Sequence, residues 1–211
     1  MDATIRNLMA GNRGILAADE SVHTINARFQ TLGIDGTVES RRRYRQLLFA
    51  TAGLEAFISG VIMFDETSRQ RTDDDQPFVA LLADRGIVPG IKVDIGAVPL
   101  AGTANERVTE GLDHLRSRLQ EYRTLGMRFA KWRAVFAITS DTPSRYCLQV
   151  NAHALARFAA LCQAVGMVPI VEPEVLMDGT HSLARAADVA QETLTHVFAE
   201  IPAIATVSVI A

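Results

Sequence analysis

Short apolar runs alternate along this chain with longer stretches in which apolar residues recur at helical spacing, and few folds accommodate that alternation. Strands covered on both faces read as continuous apolar runs, and the helices between them supply the crossovers of a parallel sheet. The runs fall at residues 14–18, 58–64, 89–94, 127–135 and 167–171, the last ending in Glu172-Pro173-Glu174. Helical patterns are expected over 39–52, 77–84, 109–125, 144–165 and 181–200. The uncharged, β-branched stretch 201–211 reads as a sixth strand. Five βα units and a sixth strand do not close an eight-stranded barrel, and an open sheet leaves two edges to be managed. The pattern therefore predicts one domain over residues 1–211 that is either a fragment or the partner of another chain.

Composition removes several function classes. A net charge of −3 leaves no basic footprint for nucleic acid. No apolar run is long enough for a bilayer, and the N-terminal MDATIRNLMAGNRG lacks the apolar segment of a signal peptide. Cys147 and Cys162 read as two isolated thiols, which suits a reducing compartment, so a cytoplasmic protein is expected. The histidines show no metal-ligand spacing, and neither a GxGxxG nor a Walker sequence is present; no metal, dinucleotide or nucleotide cofactor is expected.

Basic residues carry the sharper signal. Of 21, 19 are arginines, and lysine stands only at Lys92 and Lys131. Chance in an arginine-biased sequence is one account. The other is chemical: lysine can be tuned toward a neutral amine, whereas arginine cannot. Both lysines lie in expected strands beside other charges. Residues two apart in a strand share a side, so Lys92 goes with Asp94, Lys131 with Arg133, and Glu172 with Glu174 if the strand continues through Pro173. Asp19 follows the first strand. In a (β/α) barrel the C-terminal strand ends form the active face. Charges there either form a structural ion-pair network or act on a ligand. An amine able to form an iminium, with carboxylates to move protons, is the equipment for cleaving a carbon–carbon bond next to a carbonyl.

Six blocks then carry a specific resemblance: GILAADES (14–21), RRRYRQLLF (41–49), ISGVIMFDET (58–67), GIVPGIKVDIGAVPLAG (86–102), FAKWR (129–133) and GMVPIVEPEVLMDGTH (166–181). In this order and spacing the chain resembles the class I fructose-bisphosphate aldolases, from about Gly11 to about Glu192. The resemblance implies an α/β fold of the (β/α)8 TIM-barrel type, of which this chain has about five βα units and a sixth strand. It implies reversible cleavage of fructose 1,6-bisphosphate to glycerone phosphate and glyceraldehyde 3-phosphate by Schiff-base chemistry without a cofactor. Asp19, Lys131, Glu172 and Glu174 are the implied catalytic groups. Thr24, Arg28, Arg41, Lys92 and Arg133 are the implied substrate contacts, with Thr24 standing where the family has serine. The family is commonly homotetrameric, so the implied partners are a sugar phosphate and further copies of the chain.

Three departures qualify the resemblance. Ile95 and Ala27 replace lysines that the family often carries. The family's iminium lysine, in a Gly-Thr-Leu-Leu-Lys-Pro block, has no counterpart after Lys131. The expectation is an aldolase chain inactive by itself. The alternatives are a non-catalytic remnant that binds sugar phosphate or pairs with a full-length subunit, and a transaldolase-like enzyme using Lys131 as the Schiff base.

Overall fold

The computed structural model describes residues 1–204. Its elements, in chain order, are α1 (Asp2–Leu8), β1 (Gly14–Ala18), α2 (Val22–Thr31), α3 (Val38–Phe49), β2 (Ile58–Met63), α4 (Asp65–Ser68), α5 (Phe78–Asp84) and β3 (Val88–Lys92). They continue with β4 (Gly96–Pro99), β5 (Arg107–Glu110), α6 (Leu115–Leu125), β6 (Phe129–Phe136), α7 (Arg145–Ala164), β7 (Val168–Val175) and α8 (Leu183–Ile204). One sheet has the order β1-β2-β3-β6-β7, and β4 pairs with β5 in a second, two-stranded sheet. The chain divides into two compact units.

The first unit takes in Met1–Lys92 and Gln120–Ala130. β1 pairs with β2 in parallel, Ala18 opposite Met63, and β2 pairs with β3 in parallel, Ile62 opposite Gly90. Its core depends on an aromatic ring lying where two strands carry no side chain. A Cβ on Gly90 would stand 2.2 Å from the Phe129 ring, and one on Gly60 would stand 2.5 Å from Leu8 and 3.2 Å from the same ring. Phe129 is wholly buried. Beneath the helices, Phe49 and Phe78 meet edge to face at 5.4 Å, a geometry favoured by the ring quadrupole.

The second unit takes in Val93–Leu119 and the chain from Lys131 onward. β4 and β5 form an antiparallel hairpin, Gly96 opposite Glu110. Among its helices, α7 packs against α8 and β7. Trp132 and Phe158 lie 5.7 Å apart and are both fully buried. Glu106 anchors the start of α7, accepting from the backbone N–H of Ser144 at 2.6 Å and from its hydroxyl at 2.6 Å. A carboxylate there also suits the positive end of the helix.

Two sequence expectations change. The helix expected from residue 109 begins at Leu115, and Thr109 belongs to β5 instead. Gly111, at φ 126°, breaks the chain between them, and the Thr109 hydroxyl donates to the Arg133 carbonyl at 2.7 Å. The sixth strand begins as helix: α8 runs through Ile204, and residues 205–211 of that expected strand lie outside the described residues. Val189, Thr193, Val197 and Ile201 are all at most 1% exposed, and this four-residue spacing prolongs the helix. β-branched composition suggested a strand, but the buried stripe outweighs it. The short helices α1 and α2 and the β4–β5 hairpin were not expected at all.

Two predictions concern this packing. Gly90→Ala should lower stability by at least about 1–3 kcal/mol, the usual range for overpacking a core. The urea midpoint should fall, and fall less in a Phe129→Leu background; an unchanged midpoint would contradict the ring-over-glycine packing. The second concerns Cys147, whose thiol is pushed up to about 11 by burial and by the neighbouring Glu106 charge. A folded pKa above the unfolded value means the thiol favours the fold below the unfolded pKa, about 8.5. That contribution is lost as pH rises toward 11. Iodoacetamide should therefore leave Cys147 unmodified in the folded protein at pH 8, and Cys147→Ala should flatten the loss of stability at alkaline pH.

Candidate active site

In the first unit the chain leaves β1 into Asp19, which is 8% exposed, and Glu20. Ser21 then starts α2, its hydroxyl accepting from the Thr24 backbone N–H at 3.2 Å and lying 3.0 Å from the Thr24 hydroxyl. Such a cap satisfies a backbone donor at the helix start. Thr24 thus sits in the first turn, and Arg28, one turn further, donates through Nη1 to Glu20 Oε1 at 2.5 Å. The other oxygen of Glu20 accepts from Arg45 Nη1 at 2.8 Å.

Arg41 has a different setting from Arg28. It is buried, gripping Glu66 with Nε and Nη2 at 2.7 Å each, while Nη1 donates to Asn26 at 3.1 Å and to the Gly36 carbonyl at 2.9 Å. The paired Glu66 carboxylate raises its already high pKa, so its charge is permanent. Lys92, half-buried, is the last residue of β3.

In the second unit the charges come together on neighbouring strands. Lys131 on β6 is 7% exposed, and its Nζ lies 2.9 Å from Glu172 Oε2 on β7. That oxygen has no hydrogen-bond partner among the described residues, so the contact is an ion pair rather than a directed bond. Two residues along, Arg133 Nε donates to Glu174 Oε2. This bond, with the charges of Glu174, Glu172 and Asp94 acting against desolvation, raises the arginine's pKa further. β7 does run through Pro173, so Glu172 and Glu174 share a side, as Lys131 and Arg133 do.

Backbone contacts hold this pairing in place. Asp94 accepts from the N–H of Gly96 at 3.2 Å and from that of Arg133 at 3.3 Å. The Thr109 hydroxyl donates to the carbonyl of the same residue, Arg133. Chemically, a carboxylate held against a nearly buried ammonium is a group that can exchange a proton with a ligand, and the half-exposed Arg133–Glu174 pair beside it can receive an anion.

Glu20, Arg45, Glu66 and Thr109 are the supporting groups that sequence reasoning did not assign; Asp94 was placed among the strand-end charges. One signal was available: Arg41 and Arg45 are four apart on an expected helix and therefore share a face. Two arginines on the buried face of a helix require buried carboxylate partners.

Comparison with known proteins supplies the family. The family model described as class-I fructose-bisphosphate aldolase matches residues 1–207. A probable fructose-bisphosphate aldolase class 1 of Xanthomonas campestris pv. campestris is 57% identical over 195 residues, covering 92% of this chain and 58% of that protein. Fructose-bisphosphate aldolase 7, cytosolic, of Arabidopsis thaliana is 49% identical over 195 residues, covering 92% of this chain and 54% of that protein. The solved fructose-bisphosphate aldolase of Plasmodium falciparum, in complex with TRAP and a small-molecule inhibitor, superposes with a TM-score of 0.92 at 46% identity. That match covers 94% of this chain and 58% of the solved one. The chain thus spans a little over half the length of these relatives. It belongs to the class I fructose-bisphosphate aldolase family and has that family's α/β fold of TIM-barrel type.

Proposed function

We propose that this chain carries the proton-transfer and charge-holding part of a fructose-bisphosphate aldolase. The reaction is the reversible cleavage of fructose 1,6-bisphosphate into glycerone phosphate and glyceraldehyde 3-phosphate. In this reading residues 1–211 are one partial barrel domain, cytoplasmic like the cytosolic relative of Arabidopsis, and further copies of the chain are its partners. Among the described residues no helix is long and apolar enough to cross a membrane.

The observation that carries the reading is the Lys131–Glu172 pair on adjacent strands, at 2.9 Å. Cleavage breaks the C3–C4 bond. The C4 hydroxyl loses a proton and becomes the aldehyde, while the bonding electrons pass into an iminium at C2 and leave an enamine on the glycerone half. Glu172 is the proton carrier in this scheme, and the Lys131 ammonium offsets the charge on it and on the substrate hydroxyls. Asp19 and Glu174 complete the proton-handling groups. Lys92 and Arg133 hold substrate oxygens, and Thr24, Arg28 and Arg41 serve the phosphate side. The iminium lysine of the family has no counterpart in this sequence, so the 211-residue chain is proposed to bind sugar phosphate without forming the covalent intermediate.

Two measurements test this. Borohydride reduction with glycerone phosphate should leave the intact mass of the chain unchanged. An adduct mapping to Lys131 would instead support the transaldolase-like reading, with the Schiff base on β6. Separately, fructose 1,6-bisphosphate titrated against the chain and followed by 31P NMR should bind about tenfold or more weakly to Lys131→Met, the scale expected for loss of a charge-assisted contact. Equal affinity in wild type and variant would remove Lys131 from the substrate site.

A further inference from the structure

Glu20 is held by two arginines in opposite environments. The Arg45 side chain is 3% exposed and donates to Oε2 at 2.8 Å, whereas the Arg28 side chain is 61% exposed and donates to Oε1 at 2.5 Å. Glu20 itself is 14% exposed. Arg45 also donates to the Glu20 backbone carbonyl at 3.3 Å, so it fixes the peptide as well as the carboxylate. The guanidinium of Arg45 lies 5.2 Å from the Tyr44 ring.

The cluster stands where β1 ends, between Asp19 and the Ser21 cap of α2. Glu20, Arg28 and Arg45 together carry one net positive charge, with the Asp19 carboxylate next to Glu20 in sequence. The first turn of α2 contains no acidic residue to cancel that charge, and the helix start adds its own positive potential. The two halves of the cluster differ in what each can surrender. A buried ion pair is costly to break because an uncompensated charge remains inside. A solvated pair is cheap to exchange for another.

We propose that Glu20 is an internal stand-in for a phosphoryl group: it holds Arg28 until the phosphate of a sugar-phosphate ligand displaces it, and Arg45 is the positioning residue that keeps Glu20 in place once Arg28 has left. The sugar phosphate as ligand rests on the aldolase reading above, while the roles of Glu20 and Arg45 go beyond it. No bond is made or broken in the exchange. Arg28 trades one charge-assisted pair for another, and Glu20 stays satisfied by Arg45. Glu20 thereby sets the threshold that an anion must exceed, and weak anions such as chloride are refused.

Phosphate affinity of the 211-residue chain is the test, with inorganic phosphate and fructose 1,6-bisphosphate titrated separately. Glu20→Gln removes the competitor and should tighten inorganic phosphate roughly three- to tenfold, the exchange value of an exposed ion pair. Weaker binding in Glu20→Gln would show that the carboxylate only shapes the loop, and the proposal would be overturned. Arg45→Met leaves Glu20 with Arg28 as its remaining cation in the cluster, so phosphate should bind less tightly; Arg45→Lys should recover part of the affinity. Equal affinity in Arg45→Met and wild type would remove the positioning role.

Arg28→Met separates this idea from the aldolase reading. If it binds phosphate as wild type does, Arg28 is not the anion contact and the stand-in role falls, while the aldolase reading keeps its own test at Lys131. If it loses binding while Glu20→Gln shows no gain, only the stand-in role falls. A Glu20→Gln gain for inorganic phosphate in a chain that ignores fructose 1,6-bisphosphate would keep the exchange and discard the sugar phosphate. Should a variant fail to fold, the wild type still decides. On saturation with phosphate the Arg28 Nε–Hε NMR signal should move while that of Arg45 stays fixed; movement of both, or of neither, refutes the proposal.

Discussion

Charge placed at the ends of apolar strands must be neutralised by a neighbour, and the arrangement of Lys131, Arg133, Glu172 and Glu174 follows from that requirement. An ammonium with 7% of its residue exposed cannot rely on water, so the Glu172 carboxylate has to come within ion-pair reach. This fixes the register of β6 against β7 to the residue, because a one-residue slip would send every cation to the opposite face. The same register sets Arg133 beside Glu174. Asp94 and Thr109 then bind the N–H and the carbonyl of Arg133, so the guanidinium is presented from backbone held at both of its polar groups.

The first unit meets the same requirement with a helix. α3 aims Arg41 and Arg45, four residues apart, from one face. Arg41 holds Glu66, which follows β2, and Arg45 holds Glu20, which follows β1. One helix thereby ties down the chain at the C-terminal ends of two adjacent strands. Those ends are where a parallel α/β protein keeps its ligand groups, so a helix that is arginine-rich in sequence serves as a bracket rather than as a solvated face. The planar fork of arginine suits this task, since each guanidinium reaches both a carboxylate and a second acceptor.

Much of the main sheet was legible in the sequence, as were the residues that pair in it. The runs at β1, β2, β3, β6 and β7 are mostly apolar and bounded by polar residues, so the pattern located each within a few positions. The alternation of Lys131 and Arg133, and of Glu172 and Glu174, predicted shared sides, and β7 does run through Pro173. The β4–β5 hairpin was illegible because its strands are four residues each and mix small, polar and charged side chains. Residues 201–204 misled for another reason. Ile201 is a helix residue because it continues the stripe of Val189, Thr193 and Val197, and a stripe is visible only once the helix is known to be buried along it.

The sequence by itself determined that this is a chain of βα units with cations and carboxylates at its strand ends, and its ordered blocks determined the family. Local spacing suffices for that, since side-chain direction in a strand or helix repeats with a fixed period. Only the tertiary structure decided which carboxylate each cation takes: Glu172 for Lys131, Glu174 for Arg133, Glu66 for Arg41, and Glu20 shared between Arg28 and Arg45. Pairing joins residues as many as 41 positions apart, and Coulomb attraction acts through distance in space, which spacing along the chain does not encode.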